Sequence, residues 1–326
     1  MRLIAALMSL LCWAGTAVAL ENTSASALTN STGTACHATM GASFLPPSFA
    51  ASWSLSRYGQ DLSDMKAVGI NTVILQETVD LDANLAYFPV SAGGFPQAPN
   101  VTGDLIYEAA VHGSKVMLGL TNANDWAVNA GNYTWLSYQL VTDEHLADRL
   151  YSLYRGWFSG WYIPNEVDDY LLSAPSEVTP TTWFFNTLTQ YLHTHDGAMS
   201  VMAAPFYQNT WQTTAQYAAG VAQMFAKVDI VNLQDGAGEG RSAANVATLF
   251  SAVAAAMAGH HPQLWDDPDM YRMGVGPMPP GQLQSNLQAA CGAAVSWSGF
   301  SFSSQMEPLG VGTSTYYSSY AAYKAA

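Results

Sequence analysis

Carboxylic acids are the reactive side chains that stand out in this chain, because they recur beside aromatic and amide residues. Gln76-Glu77, Asn122 with Asp125-Trp126, Tyr162 with Asn165-Glu166, Tyr207-Gln208, Gln234-Asp235 and Trp265-Asp266-Asp267-Pro268-Asp269 are such groupings, and Ser296-Trp297 adds a further indole. Two carboxyl groups can cleave a glycosidic bond, one giving a proton to the leaving oxygen and the other attacking the anomeric carbon or activating water. Aromatic rings stack on the apolar faces of sugars, and amides bind their hydroxyls. Glu77, Asp235 and Glu166 are therefore candidate acids. Tyr162, Gln76, Asn122, Tyr207 and Gln234 are candidate sugar contacts, with Trp126, Trp265 and Trp297 as stacking platforms. The plainer alternative for any one acid is a solvated loop residue or a helix cap.

Other chemistries fit less well. His193-x-His195-Asp196 and His260-His261 match metal ligands only in residue type, and their positions after helical segments suit C-terminal capping. Asp266-Asp267-Pro268-Asp269 lacks the oxygen spacing and glycine of a calcium loop. No G-x-S-x-G string offers a serine nucleophile. Neither a metal nor a cofactor is expected.

What must position these residues is an alternation of short apolar segments and helical patterns. The segments at 41–45, 72–76, 115–120, 160–163, 200–204, 230–233, 263–265 and 293–300 are rich in Val, Ile, Leu or aromatics, as parallel strands covered on both faces are. Helical periodicity appears at 56–68, 143–158, 181–193, 213–225, 242–258, 282–291 and 315–324. Eight strands alternating with helices predict an α/β fold, a (β/α)8 TIM barrel in one domain over 40–326. An open doubly wound sheet is disfavoured, since Phe44-Leu45-Pro46-Pro47 is unlike a glycine-rich phosphate loop. In a barrel the acids above fall at the carboxyl ends of the strands, where such folds carry their chemistry.

The chain has 326 residues, 49% hydrophobic and 10% charged, with 10 Lys+Arg against 24 Asp+Glu and a net charge of −14. That supports a large core and opposes nucleic-acid backbones and anionic membranes. A neutral carbohydrate partner and a monomer are the expectation. Residues 1–19 read as a secretory signal peptide: Arg2, an apolar run and Ala17-Val18-Ala19. Residues 20–39 read as a polar N-terminal linker. Secretion makes Cys36 and Cys291 a candidate disulfide. It also gives meaning to the glycosylation sequons at Asn22, Asn30, Asn100 and Asn132.

Gly160-Trp161-Tyr162-Ile163-Pro164-Asn165-Glu166-Val167-Asp168 resembles the signature of a family of secreted, glycosidase-like TIM-barrel proteins classed as a domain of unknown function. Ser43-Phe44-Leu45, residues 65–76, Asn232-Leu233-Gln234-Asp235-Gly236 and Leu264-Trp265 are similar to other parts of it, in the same order. The resemblance spans about residues 41–306 and extends to clan A glycoside hydrolases. It implies that Glu166 is the acid/base, that Asn165 binds a sugar hydroxyl, and that an acid on strand seven is the nucleophile. A Glu is expected there, where this chain has Asp269; Asp267 is the substitute, and Glu77 or Asp235 could serve an inverting arrangement. The ranking is Glu166, then Asp269, then Glu77 and Asp235. The implied activity is hydrolysis of a poly- or oligosaccharide; the rival is a glycan-binding barrel without chemistry.

Overall fold

The computed structural model describes residues 36–90, 96, 98–308 and 314–326. The signal-peptide segment, most of the 20–39 linker and the sequons at Asn22 and Asn30 lie outside these residues.

Eight parallel strands close into a barrel in sequence order. They are β1 (Ala42–Leu45), β2 (Thr72–Leu75), β3 (Lys115–Gly119), β4 (Gly160–Ile163), β5 (Ser200–Ala203), β6 (Ile230–Gln234), β7 (Gln263–Asp267) and β8 (Ser296–Gly299). β1 closes the ring by pairing with β8, Ala42 opposite Ser298. Helices α1 (Leu55–Ala67), α2 (Val101–His112), α3 (Tyr133–Tyr154), α4 (Pro175–His195), α5 (Thr214–Met224), α6 (Ala243–Ala256), α7 (Pro280–Ala289) and α8 (Ser314–Ala325) accompany them. This is the predicted (β/α)8 barrel.

Side-chain alternation along each strand creates two cores. Ala42, Phe44, Ile74, Met117, Tyr162, Met202, Ala204 and Ile230 fill the barrel, with Trp265 and Phe300 against them. Leu45, Val73, Leu75, Leu118, Trp161, Ile163, Val201, Leu233 and Leu264 point outward to the helices.

The sequence pattern omits α2. Its signals are nonetheless local: Asn100 caps it by accepting from the Gly103 amide at 3.2 Å, and Gly113 ends it at φ 66°. Gly103 near its start and the short length hid the stripe of Val101, Leu105, Ile106 and Ala109, all buried. α3 starts ten residues before its predicted onset, where the Asn132 side chain accepts from the Thr134 amide at 3.0 Å. Two of the sequon asparagines are thus N-caps.

His193 and His195 take the expected place at a helix C-terminus, and carboxylate pairing is added to it. His193 and His195 lie inside the last turn of α4. His193 and His261 each meet Asp229 at 2.8 Å, and His195 meets Asp148 at 3.2 Å. Asp229 precedes β6, so this group sits at the end of the barrel opposite the strand carboxyl termini.

The chain ends are tied together at one place. Cys36 and Cys291 form the expected disulfide, with their Cα atoms 5.9 Å apart. From α8, the Tyr320 hydroxyl accepts from the Met40 amide at 2.6 Å, and the Tyr323 hydroxyl donates to the Ala38 carbonyl at 2.9 Å. Among the described residues, no helix is long and apolar enough to cross a membrane.

Candidate active site

The carboxyl ends of the strands enclose a cleft of about 290 Å³, lined by Phe44, Gln76, Tyr162, Glu166, Phe206, Gln208, Gln234, Glu239, Asp267, Asp269, Tyr271 and Phe300. Alternation decides which residues reach it. On β4 and its extension, Tyr162 and Glu166 face the axis while Trp161 and Ile163 join the outer core. On β6, Gln234 faces in. On β7, Asp267 and then Asp269 do, the latter after Pro268.

Glu166 is held from two directions. Its backbone carbonyl accepts from the Trp126 indole N–H at 2.7 Å, and its Oε1 accepts from the Gln234 amide at 3.0 Å. Protein atoms crowd the carboxyl, yet its side chain keeps a face on the water of the cleft. Desolvation raises its pKa, the Gln234 hydrogen bond opposes this, and Asp168, Asp269 and Glu239 add to the rise. Contact with cleft water makes that desolvation partial.

Asp269 also lines the cleft, buried but for its edge on it. Its Oδ2 accepts from the Gly238 amide at 2.9 Å. A Cβ on Gly238 would stand 3.0 Å from that oxygen and 2.9 Å from the Tyr271 carbonyl, so only glycine fits. Burial lifts Asp269 to about 6, and the Gly238 amide restrains the rise. Behind it, Asp235 is fully buried. Its Oδ1 accepts from the Ala237 amide at 2.8 Å and from the Asp269 amide at 3.2 Å. Burial, then the charge of Asp269, pushes Asp235 well above the carboxylate range. Asp267 is raised well above that range too, by burial and then by Asp269, Asp235 and Glu166. Asp269 is the strand-seven acid that ionises first.

The structure separates the residues singled out from the sequence. Glu166, Asp269, Gln76, Tyr162 and Gln234 line the cleft. Glu77 and Asp235 do not: both are buried outside the lining, and burial lifts Glu77 to about 8. Asn165 is buried and does not line the cleft. Asn122 pairs with Asp80 in a small accessory sheet. Tyr207 stacks on Tyr217 and donates to the Gln212 carbonyl at 2.7 Å. None of the three proposed platforms lies in the cleft. Trp126 is buried against Phe184 and Phe185, Trp265 is packed inside the barrel, and Trp297 packs on the outer core beside Asp266.

In their place the aromatic lining is Phe44, Tyr162, Phe206, Tyr271 and Phe300, with Gln208 and Glu239 adding polar groups. Strand parity would have found Phe206 and Gln208 in place of Tyr207, and Phe300 in place of Trp297. Glu239 lies in the loop Gly236-Ala237-Gly238-Glu239-Gly240, whose conformation has no periodicity to read. Among the described residues, no group of three or more His, Cys, Asp or Glu is arranged to hold a metal ion.

Comparison with known proteins places this cleft in context. Residues 43–310 match the model of a domain of unknown function, DUF4434. The chain belongs to this family. No curated protein matches it in sequence. Among solved structures, the DUF4434 chain is similar to a Bacteroides thetaiotaomicron protein provisionally named an alpha-L-fucosidase. That match has a TM-score of 0.76 and 16% identity, covering 95% of this chain and 99% of that one. It is also similar to an endo-1,4-beta-mannanase from Rhizomucor miehei, with a TM-score of 0.59 and 14% identity, covering 90% of this chain and 96% of the other. A beta-galactosidase from Halorubrum lacusprofundi has a TM-score of 0.62 and 10% identity, covering 88% of this chain and 58% of that one. At these identities the likeness shows a shared fold: the DUF4434 chain is a TIM barrel.

Proposed function

We propose that this DUF4434 protein is a secreted, monomeric glycoside hydrolase that cleaves a poly- or oligosaccharide with two carboxyl groups. The observation that carries the reading is the placement of Glu166 and Asp269 in one aromatic-lined cleft, where burial lifts Asp269 to about 6. The Cys36–Cys291 disulfide is compatible with an oxidising compartment.

On this reading the two acids divide the labour. A sugar enters with its scissile bond between the two acids and its apolar faces against Phe206, Tyr271 and Phe300. Glu166, oriented by Gln234, gives its proton to the glycosidic oxygen as the bond to the anomeric carbon breaks. Asp269 carries the negative charge that attacks this carbon, and its ester is the intermediate. Water then adds to the anomeric carbon, giving a proton back to Glu166, and Asp269 leaves as the carboxylate. Burial raises Asp235 and Asp267 well above the carboxylate range and lifts Asp269 less, to about 6, which favours Asp269 as the acid that bears the charge.

The test is hydrolysis of a panel of glycans and alkyl glycosides by the wild-type protein and by Glu166→Gln. The expected loss is about 10²–10⁴-fold, the usual contribution of a positioned general acid, without a change in folding. Unchanged turnover in the variant removes Glu166 from the mechanism.

One observation favours a second reading, a barrel that binds glycan without cleaving it. Asp269 is shorter than the glutamate that the clan pattern places there, and its Oδ2 is tied to the Gly238 amide. Glycan binding with no product from any glycan in the panel selects this reading.

A further inference from the structure

Beyond the cleft, the loops after β4 and β5 carry an exposed aromatic pair. Tyr170 and Trp211 are 40% and 57% exposed. Their rings meet edge to face, centroids 5.0 Å apart at 68°. Both loops belong to the carboxyl end of the barrel, and the β5 loop begins at the cleft, since Gln208 lines it. From Gln208 to Trp211 the chain advances three residues, at most roughly 10 Å.

The loop that presents Trp211 is built rather than loose. Asp169, fully buried, accepts backbone N–H groups from Gln208 at 3.2 Å, Thr210 at 2.8 Å and Trp211 at 2.9 Å. Asn209 makes the turn at φ 60°. The Gln212 amide donates to the Leu172 carbonyl at 2.9 Å, tying this loop to the one that carries Tyr170. A buried carboxylate with three backbone donors thus fixes an indole whose ring stays in water, although exposed indole surface has no stabilising role in the fold.

We propose that Trp211 and Tyr170 form a stacking subsite for a pyranose ring of an extended saccharide, continuing the cleft outward past Gln208. The inference rests on the carbohydrate reading of the cleft and adds that the substrate is a chain several sugars long. Two rings flanked by Asn209 and Thr210 match a sugar, which offers an apolar face and a rim of hydroxyls. They are far too small for a protein partner, whose stable interfaces bury about 1,200–2,000 Å². A neutral ligand also suits a protein of net charge −14.

The experiment is titration calorimetry on the Glu166→Gln protein, with linear hexasaccharides of mannose, xylose and N-acetylglucosamine and the matching disaccharides. At least one hexasaccharide should bind about tenfold more tightly than its disaccharide. Trp211→Ala should cost that hexasaccharide about three- to tenfold, the value of one aromatic contact, and leave the disaccharide unchanged. Trp211→Phe should retain most of the gain. The indole is exposed and its backbone contacts to Asp169 remain, so both variants keep the fold. The proposal is overturned if no hexasaccharide binds better than its disaccharide, or if Trp211→Ala binds it as the parent does. Turnover of the same sugars by the wild-type protein is scored separately. A length preference lost in Trp211→Ala but with no cleavage ends the hydrolase reading and keeps the subsite.

Discussion

Glu77 offers a test of the electrostatics that needs no substrate. It follows β2, and its parity turns it away from the cleft into protein where it is 5% exposed. Its Oε2 has no hydrogen-bond partner among the described residues. Burial, and then the charge of Asp80, raises its pKa from 4.5 to about 8. A carboxyl raised on folding binds its proton more tightly in the folded state than in the unfolded one. Its contribution to stability is present at low pH and is lost as pH climbs from about 4.5 toward about 8. The slope is about 1.4 kcal/mol per pH unit, so the loss is about 3 kcal/mol by pH 7 and about 5 kcal/mol once the group ionises. Glu77→Gln keeps the shape and removes the titration. The assay is urea unfolding of both proteins at half-unit steps from pH 4.5 to 8.5. The two should be nearly equal in stability near pH 5, with the variant ahead by a few kcal/mol at pH 8. A stability difference that stays constant over this range refutes the assignment of Glu77 as a buried neutral acid.

Three other outcomes follow from the same structure. Gly238→Ala pushes a methyl into the Asp269 carboxylate and the Tyr271 carbonyl. Displacing a reacting group by up to about 1 Å should lower kcat roughly ten- to hundredfold with little change in KM, measured by steady-state kinetics; wild-type kcat would show that Asp269 does not need its present position. Replacing Cys36 and Cys291 by serine frees a loop spanning 255 residues. The chain-entropy limit is about 5 kcal/mol, and a calorimetric drop in Tm of about 5–10 °C is expected; an unchanged Tm would mean the Tyr320 and Tyr323 contacts hold the ends alone. Truncating the fully buried Trp161 to alanine should cost about 3–5 kcal/mol in chemical denaturation, because the outer core would be left with a cavity.

The fold was legible because each strand is a compact apolar run and the runs recur at a spacing that admits one helix between them. α2 escaped because its information sits in its caps, Asn100 and Gly113, more than in its stripe. The site was legible at strand four, where Tyr162 and Glu166 share one parity, and at Gln76 and Gln234. Glu77, Asn165, Tyr207, Asp235 and Trp297 also stand at strand ends, but a place at a strand end does not say which face a residue occupies. Counting outward from Ile74, Met202 and Ile230 in the inner core puts Glu77, Tyr207 and Asp235 on the helix side. The same count brings in Phe206, Gln208 and Phe300. Trp126 and Glu239 lie beyond the strands, where parity has no meaning, and only the folded loops place one under Glu166 and the other in the cleft. Asp235 illustrates a different limit. Part of its raised pKa comes from Asp269, 34 residues away in the chain, and the pairing exists only once β6 and β7 lie side by side.

The central claim is that Glu166 protonates the leaving group while Asp269 supplies the opposing charge. The dependence of rate on the leaving group tests it most directly. A dinitrophenyl group departs without a proton, whereas a methyl or sugar alcohol does not. The glycosylation step of Glu166→Gln should therefore slow by about 10²–10⁴-fold on alkyl glycosides and oligosaccharides, and by far less on the matching dinitrophenyl glycoside. Asp269→Asn should depress both. Equal losses on both substrate types in Glu166→Gln, or full activity in Asp269→Asn, would contradict the account.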